Sequence, residues 1–267
     1  MFHWLQYYGD LNEGLCDHWD DAFAVIRDAG ITAVELTIGS EQEAEHLGGL
    51  LVKRSLALPS VYAGGRLCDE DWEETAKDMI RQAKWGKGLG ATLLVSNPDP
   101  IDWNKPIDKS DTQLRRQAQA LRALTSELNG MGMTLAYHTH APEMRQSARE
   151  FHHMLLATRD TGMKFCLDFH WLYRGAGDSQ VAVEDLIELY GDRIVTTHIR
   201  QSHGGVWSET LEDGDLDYSI LAAQVAARGY DGPLIIECAR EAGTKNAPSM
   251  LDAYRKSREW VDKTFSN

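Results

Sequence analysis

Short apolar runs alternate with amphipathic stretches along the whole chain. Runs bounded by glycine, proline or charged positions predict strands at Phe2–Tyr8, Ile31–Gly39, Ser55–Gly65, Ala91–Pro98, Met133–His138, Met163–Asp168, Ile194–Ile199 and Pro233–Glu237. Apolar positions at helical spacing predict helices at Asp20–Gly30, Glu41–Val52, Asp69–Gly88, Ser110–Gly130, Ser147–Thr158, Val181–Tyr190, Tyr218–Arg228 and Ser249–Thr264. Eight strand–helix units in 267 residues predict an α/β fold, a (β/α)8 TIM barrel, and no linker divides this single expected domain, 1–267.

The composition narrows the classes of function. The chain is 43% hydrophobic and 25% charged, with a formal net charge of −14. A nucleic-acid surface needs a basic field, so the charge argues against nucleic-acid partners. No apolar run approaches the roughly 18 residues of a membrane span, and the first residues do not resemble a signal peptide. Four cysteines without CxxC spacing favour reduced thiols and a cytoplasmic location.

Carboxylates and imidazoles follow the last four predicted strands. Active sites of TIM barrels lie at the C-terminal ends of the strands, so side chains at these ends are expected to converge on one divalent metal. The candidates are His138, His140 and Glu143 after the fifth strand, Asp168 and His170 after the sixth, His198 and Arg200 after the seventh, and Glu237 at the end of the eighth.

The types of residue at these ends predict a chemistry. Glu143, Asp168, His198 and Glu237 would offer three oxygens and one nitrogen, which suits Mn²⁺, Mg²⁺ or Co²⁺ better than a thiolate zinc site. A metal there would polarise a carbonyl and stabilise the enediolate that forms when a neighbouring carbon loses its proton. His138, His140 or the free edge of Glu237 would move that proton. The expected substrate contacts come from three further residues, namely Arg200, Trp171 and His170.

The set of motifs, in order, resembles the sugar phosphate isomerase/epimerase family of xylose isomerase-like TIM barrels. The motifs are Val34-Glu35-Leu36, Tyr137-His138-Thr139-His140 with Glu143, Leu167-Asp168, His198-Ile199-Arg200, Ile236-Glu237 and Gly214-Asp215-Leu216-Asp217-Tyr218. The resemblance implies a metal, Mn²⁺ first and Mg²⁺, Co²⁺ or Zn²⁺ next, on Asp168, His198, Glu237 and a ligand from the fifth strand. It also implies a small carbohydrate substrate and, by analogy, a homo-oligomer.

Two strand ends depart from the family pattern. The fifth-strand glutamate of ketose epimerases is replaced by His138, so either Glu143, five residues on, supplies the ligand or His138 ligates directly. The common H-x-K-D of the seventh strand reads His198-Ile199-Arg200-Gln201, which keeps a cation and loses an acid. The first departure moves weight from a two-glutamate epimerase towards elimination with a histidine as acid/base.

We therefore expect a metal-dependent, isomerase/epimerase-like enzyme that abstracts a proton next to a carbonyl of a sugar, cyclitol or keto-glycoside. The alternative is a β-eliminating lyase or dehydratase of a keto-sugar or inosose, including keto-glycoside cleavage. An abasic-site endonuclease would need further zinc ligands and a basic groove. A non-catalytic sugar-binding protein would keep the barrel and bind no metal.

Overall fold

The computed structural model describes residues 6–7 and 18–266. Within them, the strands are β1 (Ala33–Leu36), β2 (Ala57–Tyr62), β3 (Leu93–Ser96), β4 (Thr134–Tyr137), β5 (Lys164–Asp168), β6 (Ile194–Ile199), β7 (Ser202–His203), β8 (Val206–Trp207) and β9 (Leu234–Ile236). The helices are α1 (Trp19–Asp28), α2 (Glu41–Arg54), α3 (Trp72–Gly88), α4 (Asp111–Gly130), α5 (Arg145–Ala157), α6 (Phe169–Gly175), α7 (Gln180–Tyr190), α8 (Tyr218–Ala227) and α9 (Met250–Thr264). Two 3₁₀ segments occupy Ala141–Met144 and Gly191–Arg193.

Seven parallel strands form a nearly closed barrel in the order β1-β2-β3-β4-β5-β6-β9, with helices between them. The expected TIM-barrel class is confirmed. The predicted first strand, Phe2–Tyr8, lies outside the described residues except for Gln6 and Tyr7, whose backbone is helical. In the described part of the chain, no helix has the length and apolar character that crossing a bilayer would require.

Strand β5 shows how the barrel positions the site. Successive side chains point to opposite faces of a strand, so Phe165 and Leu167 pack into the main core with the helices. Cys166 lies on the other face and fills the barrel interior in a small cluster with Val95 and Ala136. Asp168, two residues after Cys166, shares this inner face and stands at the C-terminal mouth. Cys166 is fully buried there.

Several boundaries differ from the predicted ones. Helix α6 and the β7–β8 hairpin were not predicted, because both are shorter than the windows over which periodicity can be detected. Helix α5 formally begins at Arg145, yet residues 146–148 have left-handed backbone, with φ of 53°, 60° and 55°. Regular helix therefore starts at Arg149, two residues after the predicted start.

Candidate metal centre and active site

Four buried side chains meet at the C-terminal mouth of the barrel. His138 follows β4, Asp168 ends β5, His198 lies in β6, and Glu237 follows β9. One potential ligand atom from each lies within 4.8 Å of all the others. The sheet register explains the convergence, because Asp168 pairs with His198 across β5 and β6, and His198 pairs with Ile235 across β6 and β9.

The cluster brings imidazoles and carboxylates into close contact. Nδ1 of His198 lies 2.7 Å from Oε2 of Glu237, and Nε2 of His138 lies 3.4 Å from Oδ2 of Asp168. Burial raises the pKa of Asp168, and the neighbouring Glu237 carboxylate raises it further. Burial opposes the charged form of His198, but Cys166, Glu35 and Glu237 around it raise its pKa well above the usual range.

The polar atoms of the cluster fit a divalent cation. Both ring nitrogens of His138 and Oδ2 of Asp168 are buried and have no hydrogen-bond partner among the described residues. Unsatisfied buried polar atoms cost free energy, and a shared cation would compensate several of them at once. Two imidazoles and two carboxylates make a donor set of mixed nitrogen and oxygen, which suits Mn²⁺, Co²⁺ or Zn²⁺ better than an all-oxygen site would.

Asp168 also starts the helix that follows it. Its Oδ1 accepts a hydrogen bond of 2.7 Å from the backbone N–H of Trp171, as a helix N-cap does. Oδ2 is left for the cluster. One carboxylate therefore both faces the candidate metal site and fixes the position of α6.

Glu143, predicted as a ligand, lies outside the group of four. Pro142 stands within the first turn of the 3₁₀ segment Ala141–Met144, which turns Glu143 back towards the segment's own start. Its Oε2 accepts a hydrogen bond of 2.8 Å from the backbone N–H of His140, and Oε1 accepts one of 3.2 Å from Nδ2 of Asn97. Burial, with Glu150 nearby, raises the pKa of Glu143 to about 7. The structure thus brings His138, not Glu143, into the cluster.

His140 lies beside the cluster. Its ring centroid is 4.7 Å from that of His138 and 5.0 Å from that of Trp171. Nδ1 lies 2.7 Å from Oδ1 of Asn97, a residue that the sequence analysis did not single out. Burial, and then His138, lower the pKa of His140 to about 3, which favours a neutral imidazole.

Arg200 is buried against the cluster. Its Nη2 lies 2.9 Å from Oε1 of Glu237, and Nε donates a hydrogen bond of 3.0 Å to the Glu237 backbone carbonyl. The guanidinium also stacks on aromatic rings, 4.3 Å from the centroid of Trp207 and 5.1 Å from that of Trp171. Arg200, predicted to contact substrate, is therefore placed to fix the orientation of Glu237.

Tryptophans form the rim of the site. Trp171, predicted to contact substrate, packs edge-to-face between His140 and Trp207, with its centroid 4.9 Å from that of Trp207. Trp103, which sequence reasoning missed, packs against His140 at 5.3 Å and is 55% exposed. The loop that carries Trp103 is held on one side by a hydrogen bond from Arg66 to the Ile101 carbonyl.

His170 stands behind the rim. Its Nδ1 accepts a hydrogen bond of 3.2 Å from the indole N–H of Trp207, and its Nε2 lies 2.9 Å from the Ser202 hydroxyl. Ser202 donates in turn to Asp215 at 2.6 Å. Since both ring nitrogens are engaged by protein groups, His170 supports the β7–β8 hairpin, whereas the sequence predicted a substrate contact.

Glu35 is a second residue whose position the sequence left open. It is buried at the mouth end of β1, with Oε1 3.0 Å from Nε2 of His198. Its Oε2 accepts a hydrogen bond of 2.6 Å from Ser60. A carboxylate beside a ligating histidine is a common way of orienting the ring and raising its basicity.

Comparison with known proteins is consistent with this architecture. The chain is 22% identical to an inosose dehydratase of Lacticaseibacillus casei, over 89% of this chain and 87% of the relative. It superimposes on an L-ribulose 3-epimerase with a TM-score of 0.76 and 15% identity, covering 92% and 88% of the two chains.

Two further solved structures share the fold. The 3-keto-D-glucoside 4-epimerase of E. coli gives a TM-score of 0.72 at 17% identity, covering 91% and 94% of the two chains. A protein of Mycobacterium smegmatis, in complex with magnesium, gives 0.72 at 14% identity, covering 93% and 88%. The family model of xylose isomerase-like TIM barrels matches residues 23–264. The chain therefore belongs to the xylose isomerase-like TIM barrel family.

Proposed function

We propose that this protein is a divalent-metal-dependent enzyme that removes a proton next to a carbonyl of a neutral carbohydrate or cyclitol. The observation that carries the proposal is the convergence of His138, Asp168, His198 and Glu237 within 4.8 Å at the barrel mouth. A cation bound there supplies polarisation of the carbonyl and offsets the charge of the enediolate. The names of the similar proteins, an inosose dehydratase and two sugar epimerases, support the same step.

The residues around the cluster take separate roles in this proposal. His138 joins the ligands, while neutral His140 accepts the proton from the substrate carbon. Trp171 and Trp103 form apolar walls against which a sugar ring packs. Arg200 holds Glu237 in place. In this proposal His138 takes the ligand position that the sequence analysis gave to Glu143.

The paired charges at the mouth support a neutral substrate over a phosphorylated one. Arg174 lies 2.8 Å from Glu241, Arg240 lies 3.1 Å from Glu209, and Arg200 is paired with Glu237. A phosphate group is usually recognised by cations whose charge is not already compensated. These three arginines each face a carboxylate of the protein.

A specific observation favours β-elimination over epimerisation as the outcome. Epimerisation at one carbon needs acid/base groups on both faces of the substrate. Glu237, the second predicted proton carrier, has Oε2 beside His198 and Oε1 beside Arg200. His140 is then the group best placed to take a proton. One base on one face is sufficient for a dehydratase or keto-glycoside lyase, because the proton that it takes from the carbon can pass to the leaving hydroxyl or aglycone oxygen on the next carbon.

The shared step is tested by solvent exchange. Protein loaded with Mn²⁺ is incubated in D₂O with an inosose, a ketohexose and a 3-keto-glucoside, and products are analysed by mass spectrometry. Deuterium incorporation, or loss of water or aglycone, from one substrate class is the expected result. The Asp168→Asn variant should lose it. Absence of exchange and of elimination with all three classes would refute the proposal and favour a sugar-binding protein.

Three accompanying features are inferred with it. Mn²⁺ is the proposed metal, to be checked by elemental analysis of protein purified without added metal.

A cytoplasmic location is supported by the buried, unpaired Cys68, Cys166 and Cys238. A single domain that forms a homo-oligomer is supported by Val181 and Leu189 of α7, each 64% exposed and eight positions apart on the helix. Light scattering on Leu189→Glu tests the oligomer.

A further inference from the structure

Asn97 connects two residues that sequence reasoning assigned to different roles. It follows β3, and its side chain is buried. Oδ1 lies 2.7 Å from Nδ1 of His140, and Nδ2 lies 3.2 Å from Oε1 of Glu143. Nδ2 also approaches the backbone carbonyl of His138 at 3.5 Å. The amide thus has two acceptors on one side and an imidazole nitrogen on the other.

Donor and acceptor accounting fixes the tautomer of His140. The amide nitrogen of Asn97 can only donate, so it belongs on the side of the Glu143 carboxylate and the His138 carbonyl. The amide oxygen, which can only accept, then faces His140. Nδ1 of His140 must therefore carry the proton, and in the neutral ring Nε2 has the free lone pair.

Glu143 determines which way the amide of Asn97 faces. Its Oε2 is held by the backbone N–H of His140 at 2.8 Å, so Oε1 is the oxygen presented to Asn97. The carboxylate is fully buried. The order of influence therefore runs from Glu143, through Asn97, to the ring of His140.

We propose that Asn97 and Glu143 are positioning residues that hold His140 in the Nδ1–H tautomer, so that it meets the substrate through the lone pair of Nε2. The catalytic consequence rests on the proposed function, in which His140 accepts a proton. The tautomer itself does not depend on that function. A ring with the opposite tautomer would present an N–H to the substrate and could not act as the base.

The isosteric variant Glu143→Gln should invert the tautomer. The backbone N–H of His140 still requires an acceptor, so the amide oxygen of the new side chain takes the place of Oε2. Its NH₂ group then faces Asn97, which must turn its own oxygen towards it. Nδ2 of Asn97 is left facing His140, whose Nδ1 becomes the acceptor while Nε2 carries the proton.

Two-bond correlation spectra of nitrogen-15-labelled, Mg²⁺-loaded protein read the tautomer directly. They are recorded at about pH 8, above the pKa of about 7 that burial and Glu150 give Glu143. His140 signals are assigned by their loss in His140→Gln. Wild type should show a protonated Nδ1 and Glu143→Gln a protonated Nε2. If Glu143→Gln does not fold, Asn97→Ala replaces it in the experiment. This variant removes the acceptor of the His140 Nδ1–H and should give a mixture of both tautomers.

The matched control is Glu43→Gln, since Glu43 also faces the N-terminus of its own helix and accepts a hydrogen bond from Gly39, away from the cluster. It should leave the His140 spectrum unchanged. A protonated Nε2 in wild type, or an unchanged tautomer in a folded Glu143→Gln, would overturn the proposal.

Kinetics separate this proposal from the proposed function. Glu143→Gln should lower kcat about 100-fold or more, the usual scale for general-base catalysis, with little change in KM or metal content. If the tautomer inverts while activity is retained, the positioning network stands and His140 is not the base. If the tautomer does not invert, the network is refuted whatever the activity.

Discussion

Arg200 binds Glu237 twice, through its carboxylate at 2.9 Å and through its backbone carbonyl at 3.0 Å. Both groups are buried, so neither contact is weakened by solvent as a surface pair would be. The double contact fixes the rotamer of Glu237 and directs Oε2 towards His198. These contacts place Arg200 as a support of Glu237 in the candidate metal site, and its substrate contact stays a prediction.

Arg200→Met should weaken metal binding about 10–100-fold, as loss of a group that orients a ligand commonly does. The measurement is competition for Mn²⁺ against a chelator of known affinity. Arg174→Met is the matched control, because Arg174 also pairs with a glutamate and stacks on Trp207. An unchanged metal affinity with a raised KM would instead restore the predicted substrate contact.

Metal content distinguishes the two open choices for the fifth-strand ligand. His138→Ala and Asp168→Asn should reduce bound metal to well below one ion per chain, because each removes an atom of the buried cluster. Glu143→Gln should retain the metal, since its oxygens are engaged by His140 and Asn97. Elemental analysis of dialysed protein measures the metal bound per chain in each variant. Loss of metal in Glu143→Gln alone would show that Glu143 is the ligand.

Trp103→Ala should raise KM about 3- to 10-fold, since one aromatic contact is worth about 0.5–1.5 kcal/mol. The ring is 55% exposed and lies at the rim, so its loss should leave the melting temperature nearly unchanged. Steady-state kinetics with the substrate found by solvent exchange provide the test. Trp103→Phe should recover most of the affinity. An unaltered KM in the alanine variant would show that Trp103 does not contact the substrate.

Lys109 and Glu150 form a buried ion pair at the base of the loop that carries Trp103. The two groups are 2.6 Å apart, and Gln117 also donates to Glu150 at 2.8 Å. Lys109→Met should lower the free energy of unfolding by about 3–5 kcal/mol, because it leaves a buried carboxylate without its cation. Urea unfolding measures this loss.

The double variant Lys109→Met/Glu150→Leu should recover much of that stability, since no uncompensated charge stays buried. Equal losses in the single and double variants would show that the lysine acts through packing of its aliphatic chain. Exposed Lys77, paired with Glu74 on α3, provides the control, and Lys77→Met should change stability by less than about 1 kcal/mol.

The alternation of apolar strands and amphipathic helices was sufficient to predict the barrel. Strands such as β5 carry an apolar run that is buried on both faces, and the helices between them have one apolar face. The hairpin Ser202–Trp207 could not be found in this way. It is held by Asp215, Glu241 and Thr244, which are contacts from distant parts of the chain.

The site was partly predictable for the same reason. Asp168, His198 and Glu237 lie at or next to the C-terminal ends of strands, so their position follows from the fold alone. The position of Glu143 depends instead on the local sequence after the strand, which a prediction from strand ends does not consider. A carboxylate three residues after His140, with proline between them, has the spacing of a capping box. Asn97 could have been noticed because it ends a neighbouring strand as His138 does.

The double role of Asp168 divides the rim of the site into a rigid half and an adjustable half. Because one carboxylate both faces the cluster and starts α6, the wall that carries Trp171 cannot shift without disturbing the ligands. Trp103 itself meets the site through its ring contact with His140 and is 55% exposed. Changes of substrate range during evolution should therefore accumulate on the side of Trp103, while Trp171 varies little.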